Sequence, residues 1–264
     1  MYLLMIGQNN ILNKLKSYTL SSLPHSILLI GEKGSEQYDI CKEVSSYFGM
    51  DLDIIEDKPI NRELVDQIYE NKFISMYVID LSTITIKEQN VLLKLYEEPN
   101  DYAYIVLLAE SDSIPLETIM TRSYSFKLES YSKEVLEPLI FDPNRKEGYK
   151  DLVLSLCSTP GQIELANITD MVELKNLCTK IVNSLPKASY PNTLSIANKI
   201  NFKDENEKFN IYMFIKVLSL VILELGEYSL YPYVKELRDN IYAMTYKRCY
   251  FENFLTKIWL HTRA

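Results

Sequence analysis

Glycine is scarce in this sequence, with seven among 264 residues. That excludes a glycine-rich linker or collagen-like chain and makes each glycine worth reading. Cysteine is nearly as sparse. Cys41, Cys157, Cys178 and Cys249 include no pair at C-x-x-C spacing, which argues against a zinc module and for thiols in a reducing compartment. The two histidines, His25 and His261, are too few and too far apart to suggest a metal site, and His25 reads as structural. Positive charge is also short: 28 Lys and Arg against 36 Asp and Glu leave a net charge of −8. A chain that binds DNA strongly by itself is usually basic, so most phosphate contact here must come through partners. No apolar run reaches the ~20 residues of a membrane span. The most apolar stretch, 209–223, contains Lys216 and reads as a helix buried on most sides. The opening MYLLMIGQNN has no basic n-region of a signal peptide. A cytoplasmic protein with no membrane partner and no bound metal is expected.

What is present is ordinary for a soluble globular chain: 47% apolar and 24% charged residues. Four short runs in the first half are apolar without alternation, at 25–30, 52–55, 76–80 and 104–109. Such runs suit parallel strands covered on both faces. Amphipathic segments lie between them. One ends at Gly49, a candidate C-cap. Another, TIKEQNVLLKLYEEP, opens with a Thr85/Glu88 capping box, puts Val91, Leu92, Leu95 and Tyr96 on one face and stops before Pro99. Strand and helix in alternation predict an α/β layered domain. Beyond about residue 130 no strand run is convincing. Short helical pieces punctuated by Pro143 and Pro160 give way from about 168 to longer helices. The plan is an α/β domain, a small helical domain and a helical bundle.

The loop GEKGSEQY follows the first strand run directly. In the pattern G-x-x-x-x-G-K-[ST], glycines let backbone N–H groups close on phosphates, the lysine neutralises them and the hydroxyl binds Mg²⁺. Gly31 occupies the first position and Gly34 lies inside the loop. Glu36 replaces the second glycine, Gln37 the lysine and Tyr38 the hydroxyl, while Lys33 lies on the wrong side of the turn to substitute. Glu36 would bring like charge toward a polyanion. Two readings stand: a turn that never met a nucleotide, or a nucleotide loop that has lost its function.

Five ordered segments resemble the clamp-loader branch of the AAA+ family, in particular its delta-prime subunits. They are IGQNNILNKL (6–15), LPHSILLIGEKGS (23–35), YVIDLSTITIKEQNVLLKLYEEPNDYAYIVLL (77–108), IPLETIMTRSYSF (114–126) and STPGQIELA (158–166). The third is similar to the family's Walker B strand, LEEP helix and sensor-1 strand in order. The resemblance implies a RecA-like parallel sheet with flanking helices over 1–130, a small helical lid over 131–167 and a C-terminal helical collar over 168–264. It also implies where the hydrolytic groups would stand. Asp80 is followed by Leu81 in place of the water-activating carboxylate, and the sensor-2 position holds Gln162. With the lysine and the Mg²⁺ hydroxyl also gone, no bound cofactor is expected.

One group survives. Thr121-Arg122-Ser123 stands at the family's S-R-C motif, whose arginine enters the ATP site of a neighbouring subunit. An arginine finger in trans can be worth ~10³–10⁵ in rate. The competing reading makes Arg122 a surface residue at a strand start. The resemblance implies a non-hydrolysing loader subunit, whose partners are clamp-loader ATPase subunits, the sliding clamp and, through the complex, primer–template DNA. The single cysteine near the glycine loop, where many delta-prime subunits carry a zinc module, and the short lid fit a reduced subunit of the kind a phage or a minimal genome encodes. Two rivals are an ATPase with an unconventional nucleotide site and an interaction module that mimics a loader subunit to redirect a replisome. Glu97 and Glu98 are adjacent on a helix, do not face one another and receive no catalytic role. The basic clusters 144–150 and 246–250 read as solvated faces. The helix at 209–223 is either plain core or a collar interface.

Overall fold

The structure, a computed structural model, describes residues 6–56, 58–141, 148–184, 189–201, 209–241 and 247–263. Pro143, residues 144–147 and Tyr246 lie outside them. The chain divides into two compact units. One holds the residues up to Tyr131 together with Thr159–Gly161; the other holds Ser132–Ser158 and Gln162 onward.

The first unit is built on a parallel sheet of β1 (Ser26–Ile30), β2 (Asp51–Ile54), β3 (Ser75–Asp80), β4 (Ala103–Ala109) and β5 (Tyr124–Lys127), in the order β2-β3-β4-β1-β5. Helices cover both faces. On one face α1 (Asn9–Lys16) and α2 (Gln37–Phe48) pack Ile11, Leu15, Ile40 and Val44 against Ile27, Leu29, Met76, Val78, Val106 and Leu108. On the other, α3 (Arg62–Glu70) and α4 (Ile86–Glu97) pack Leu64, Ile68, Leu92 and Leu95 against Leu28, Ile30, Tyr77, Ile79, Ile105 and Leu107. In β1, β3 and β4 successive residues thus feed two separate cores, which is why those runs are apolar without alternation; β2 packs only Leu52 and Ile54, both on the α1/α2 face. β5 is different. Only Phe126 of its four residues is buried, so it leaves no apolar run and escapes a reading based on such runs. His25 is structural: its Nδ1 lies 2.9 Å from the Ala103 carbonyl, and the ring stacks on Tyr104 with centroids 4.6 Å apart.

The local signals behave as the sequence predicts. Gly49 ends α2 in the left-handed conformation at φ 67°. The Thr85 side chain accepts from the Glu88 N–H, and the Glu88 carboxylate accepts in return from the Thr85 N–H at 2.8 Å. These bonds to Thr85 hold the Glu88 carboxyl below its ordinary range.

The second unit is mostly helical. It contains α6 (Lys133–Leu136), α7 (Tyr149–Leu156), most of α8 (Pro160–Asn167), α9 (Met171–Ser184), α10 (Tyr190–Leu194), α11 (Ile211–Leu225), α12 (Tyr231–Asn240) and α13 (Lys247–His261); α5 (Glu117–Met120) belongs to the first unit. A two-residue parallel pair, Ile200–Asn201 with Phe209–Asn210, is too short to leave a sequence pattern. α11 is the spine. Phe214, Val217, Leu218, Val221 and Ile222 are fully buried, and Phe214 meets Phe251 of α13 edge to face at 5.3 Å. It begins at Ile211 because the Asn210 side chain caps it, accepting from the Tyr212 N–H at 2.8 Å. Cys41, Cys157 and Cys178 are buried and in no disulfide, and burial pushes the Cys41 thiol up to about 12. Among the described residues no helix is long and apolar enough to cross a membrane, and no three His, Cys, Asp or Glu are grouped to hold a metal ion.

Removing the capping box tests its weight. Thr85→Ala should lower the unfolding free energy by about 1 kcal/mol at neutral pH. A depressed carboxylate contributes stability above its unfolded pKa and loses it as pH falls through the folded one. The gap between wild type and variant in urea denaturation should therefore narrow as the pH drops through the carboxylate range.

Candidate functional site

β1 stands where the strand order reverses, and the crevice outside the carboxyl ends of strands at such a point is the usual ligand position in open α/β sheets. The glycine loop emerges there. The Gly31 N–H donates to the Ala109 carbonyl at 2.9 Å, continuing the β1–β4 ladder. A Cβ on Gly31 would stand 2.7 Å from Ser35 Oγ and 2.8 Å from Leu128 Cβ, so close approach requires glycine. Gly34 and Glu36 both have positive φ, 83° and 65°. That conformation costs a residue with a Cβ about 1–2 kcal/mol. Glu36 therefore sits where the backbone favours the glycine of the phosphate-binding pattern.

Its side chain explains how it stays. The Glu36 carboxylate accepts from the Ile6 N–H at 2.7 Å, the Gly7 N–H at 3.0 Å and the Tyr131 hydroxyl at 2.7 Å. Burial, together with the Glu36 carboxylate, pushes the Tyr131 hydroxyl well above the ordinary phenol range. The neighbouring Gln8 amide pairs with the Glu129 backbone in both directions, donating at 2.8 Å and accepting at 2.9 Å. The segment beginning IGQ is thus fastened to the loop and to the end of β5.

Gln37, at the lysine position, points inward. Its Nε2 lies 3.2 Å from the carbonyls of Leu29 and Ala109 and 3.3 Å from that of Gly31. The ring of Tyr38, at the Mg²⁺-hydroxyl position, packs on the α1/α2 core; burial and then the nearby Asp80 carboxylate raise its hydroxyl above the phenol range. Asp80 is occupied locally. Its Oδ1 accepts from the Ser82 N–H at 2.8 Å and caps a short 3-10 turn. Leu81, at the position of the activating carboxylate, is 1% exposed and belongs to the α3/α4 core. The stretch Thr159–Gly161 closes over the loop. Thr159 Oγ1 donates to the Lys33 carbonyl at 2.8 Å, and the Gly161 N–H donates to the Gly34 carbonyl at 3.0 Å. A Cβ at Gly161 would lie 2.7 Å from Gly34 Cα, so only glycine fits. Gln162 belongs to the second unit. It is buried, and its Oε1 accepts from the Ser158 N–H at 3.0 Å and from Lys216 Nζ at 2.7 Å. The charge inside the apolar helix α11 serves this contact.

Thr121, Arg122 and Ser123 lie elsewhere, between α5 and β5. Arg122 Nη1 donates to the Thr118 carbonyl at 3.2 Å, and Nη2 pairs with Glu97 Oε1 at 3.2 Å; the arginine side chain stays 39% exposed. Thr121 Oγ1 donates to the Thr118 carbonyl at 3.2 Å, and the Ser123 and Ser26 hydroxyls are 2.8 Å apart. β5 pairs with β1 at Tyr124↔Ile27, so Arg122 lies level with His25, at the amino ends of the strands. At ~3.3 Å per residue, the six steps to Gly31 put the arginine and the chain's own glycine loop about 20 Å apart. The fold thus gathers Gly31, Gly34, Glu36, Gln37, Tyr38 and Asp80 at one end of the sheet and places Arg122 at the other. Sequence reasoning gave Glu97 no role, because its tie to an arginine 25 positions later exists only in three dimensions.

The fold is an α/β domain with a glycine loop at the carboxyl end of β1, where Glu36, Gln37 and Tyr38 stand at the positions of the second glycine, the lysine and the hydroxyl of the phosphate-binding pattern and Asp80 keeps its carboxylate. Residues 49–132 match the family model described as DNA polymerase III, delta subunit. The match runs from β2 to just past β5 and includes Asp80, Glu97 and Arg122. No curated protein matches the chain. Among solved structures it is similar to a DNA polymerase III gamma subunit-related protein from Thermotoga maritima, at 13% identity, over 98% of this chain and 100% of that one, with a TM-score of 0.47. It is also similar to the Thermotoga maritima RuvB Holliday junction branch migration motor, at 11% identity, over 81% and 70%, with a TM-score of 0.44.

Two substitutions separate the side chain of Glu36 from its backbone. Glu36→Ala removes three hydrogen bonds to a charged acceptor and keeps the strained φ, and should lower stability by about 2–3 kcal/mol. Glu36→Gly loses the same bonds but suits the left-handed conformation, and should be milder by about 1 kcal/mol. Chemical denaturation of both variants measures the difference.

Proposed function

We propose that this chain is a non-hydrolysing, delta-prime-like subunit of a sliding-clamp loader. It supports loading of the clamp onto primed DNA and supplies Arg122 in trans to the ATP site of a neighbouring ATPase subunit. The separation of Arg122 from its own glycine loop carries this reading. An exposed guanidinium at the amino end of the sheet cannot serve a nucleotide at the carboxyl end, yet it is open to a site on another chain. A planar, permanently charged fork suits the γ-phosphate as charge develops there. The occupied glycine loop supports the other half. Gln37 is engaged with the sheet, Leu81 is in the core and Glu36 is tied to residues 6–7 and 131, so none of these three positions offers a group to neutralise a triphosphate or activate water. The net charge of −8 agrees with DNA contact made chiefly through the rest of the complex.

The unconventional-ATPase reading makes a different prediction for the isolated chain. On the present reading, a fluorescent ATP analogue with Mg²⁺ should show no saturable binding in the micromolar range; tight Mg²⁺-dependent binding would favour the ATPase. Co-purification from the native source tests the mimic, which should bring down a foreign replisome where a loader subunit brings down its own ATPase subunits and clamp. In the purified complex, Arg122→Ala should leave assembly intact and lower DNA- and clamp-stimulated ATP turnover at least tenfold. Turnover equal to wild type would defeat the finger.

A further inference from the structure

The ion pair between Arg122 and Glu97 assigns work to a residue that the motif alone leaves idle. We propose that Glu97 is a positioning residue for Arg122. Its carboxylate parks the guanidinium at the exposed amino edge of the sheet in the free subunit and releases it to the γ-phosphate of a nucleoside triphosphate held by the neighbouring subunit. The proposal rests on the reading of Arg122 as a finger.

Two groups hold the guanidinium, and they hold different nitrogens. The Thr118 carbonyl takes Nη1 at 3.2 Å and the Glu97 carboxylate takes Nη2 at 3.2 Å. The carbonyl fixes the direction of the side chain from one turn earlier in the same segment. The carboxylate comes from α4 and supplies the counter-charge. Glu97 is the last residue of α4, a point where a helix ordinarily frays. Here that end is pinned. The Tyr69 hydroxyl donates to the Lys94 carbonyl at 2.8 Å and also to the Glu98 carbonyl. The Asn100 amide donates to the carbonyls of Tyr69 at 2.9 Å, Asn71 at 3.2 Å and Ile68 at 3.3 Å. α3 and its following turn therefore hold the carboxylate on a fixed support.

The grip is weak by construction. The Glu97 and Arg122 side chains are 54% and 39% exposed. An ion pair in water of this kind favours the paired arrangement by a factor of about five at most. A phosphate carries more charge and accepts both prongs of the fork, so it displaces a single carboxylate oxygen readily. Glu97 keeps the arginine from wandering, yet it opposes an approaching triphosphate through like charge until the exchange is made. It acts on nucleotide affinity more than on the chemical step.

The test uses the complex purified with this chain, ATP as the probe, and the variants Glu97→Gln and Arg122→Ala. Glu97→Gln should lower the KM for ATP by about two- to fivefold with kcat changed less than twofold, and the effect should fade as salt is raised. An unchanged KM overturns the proposal, and so does a fall in kcat at constant KM, which would make Glu97 an orienter in the transition state. If Arg122→Ala leaves kcat unchanged, the finger reading falls and this proposal with it. If Arg122→Ala lowers kcat while Glu97→Gln leaves KM alone, only the parking role falls. A second readout needs no partner. In the isolated chain the Arg122 Nε–Hε NMR signal should shift between wild type and Glu97→Gln at low salt; coincident signals would show that the pair does not form.

Discussion

The amide of Gln37 governs what the glycine loop can be. It sits among three carbonyls that end β1 and β4, the two strands flanking the crevice. Its two N–H groups lie within reach of all three carbonyls, and that of Ala109 also accepts from the Gly31 N–H. A group engaged with the sheet cannot also extend over the loop. The loop above has left-handed residues at 34 and 36, and the side chains of Glu36, Gln37 and Tyr38 meet protein. Glu36 fastens residues 6–7 and Tyr131, and Gly161 lies against Gly34 too closely for any side chain. The polypeptide itself ties the loop down at each of these positions.

The two cores explain how such a loop stays placed. β1 sends Ile27 and Leu29 to the α1/α2 face and Leu28 and Ile30 to the α3/α4 face, all nearly inaccessible. A strand held on both sides and paired on both edges cannot slip by one residue without exchanging its entire set of side chains between cores. The positions of Gly31 at one end and of Ser26, bonded to Ser123, at the other are fixed by the same packing. The register that orders the glycine loop therefore also sets the height of Arg122.

Much of this was legible in the sequence wherever the signal was local. Continuous apolar runs marked β1, β3 and β4, which face two cores, and a shorter run marked β2; the Thr85/Glu88 pair marked the start of α4, and Gly49 marked the end of α2. β5 was not legible as a strand, because an edge strand with one buried residue carries no run. α11 begins at Ile211, two residues into the apolar stretch 209–223, because the Asn210 side chain caps it there. At the site the substitutions at Glu36, Gln37, Tyr38 and Leu81 could be read as losses, but not as gains. That Gln37 bridges strand ends, that Glu36 receives backbone N–H groups from 30 residues away and that Leu81 enters a core are consequences of the fold. Glu97 was invisible for the same reason: sequence distance hid a 3.2 Å contact.

Charge decides the order in which such a subunit could act. The chain is acidic overall, and the arginine at the amino edge of its sheet is paired with one carboxylate at the end of α4. One guanidinium in that setting is no anion site by itself, since a triphosphate approaching alone would meet net repulsion over roughly a Debye length, about 8–10 Å. If the nucleotide is already bound and its charge partly neutralised by another chain's cations, the repulsion is reduced and the bidentate geometry of the fork becomes the dominant contribution. On the proposed reading Arg122 therefore acts second, after a neighbour has loaded its nucleotide, and contributes where charge develops on the transferring phosphoryl group. On the same reading, one weakly restrained arginine on an acidic chain answers to a neighbour's nucleotide rather than capturing one itself.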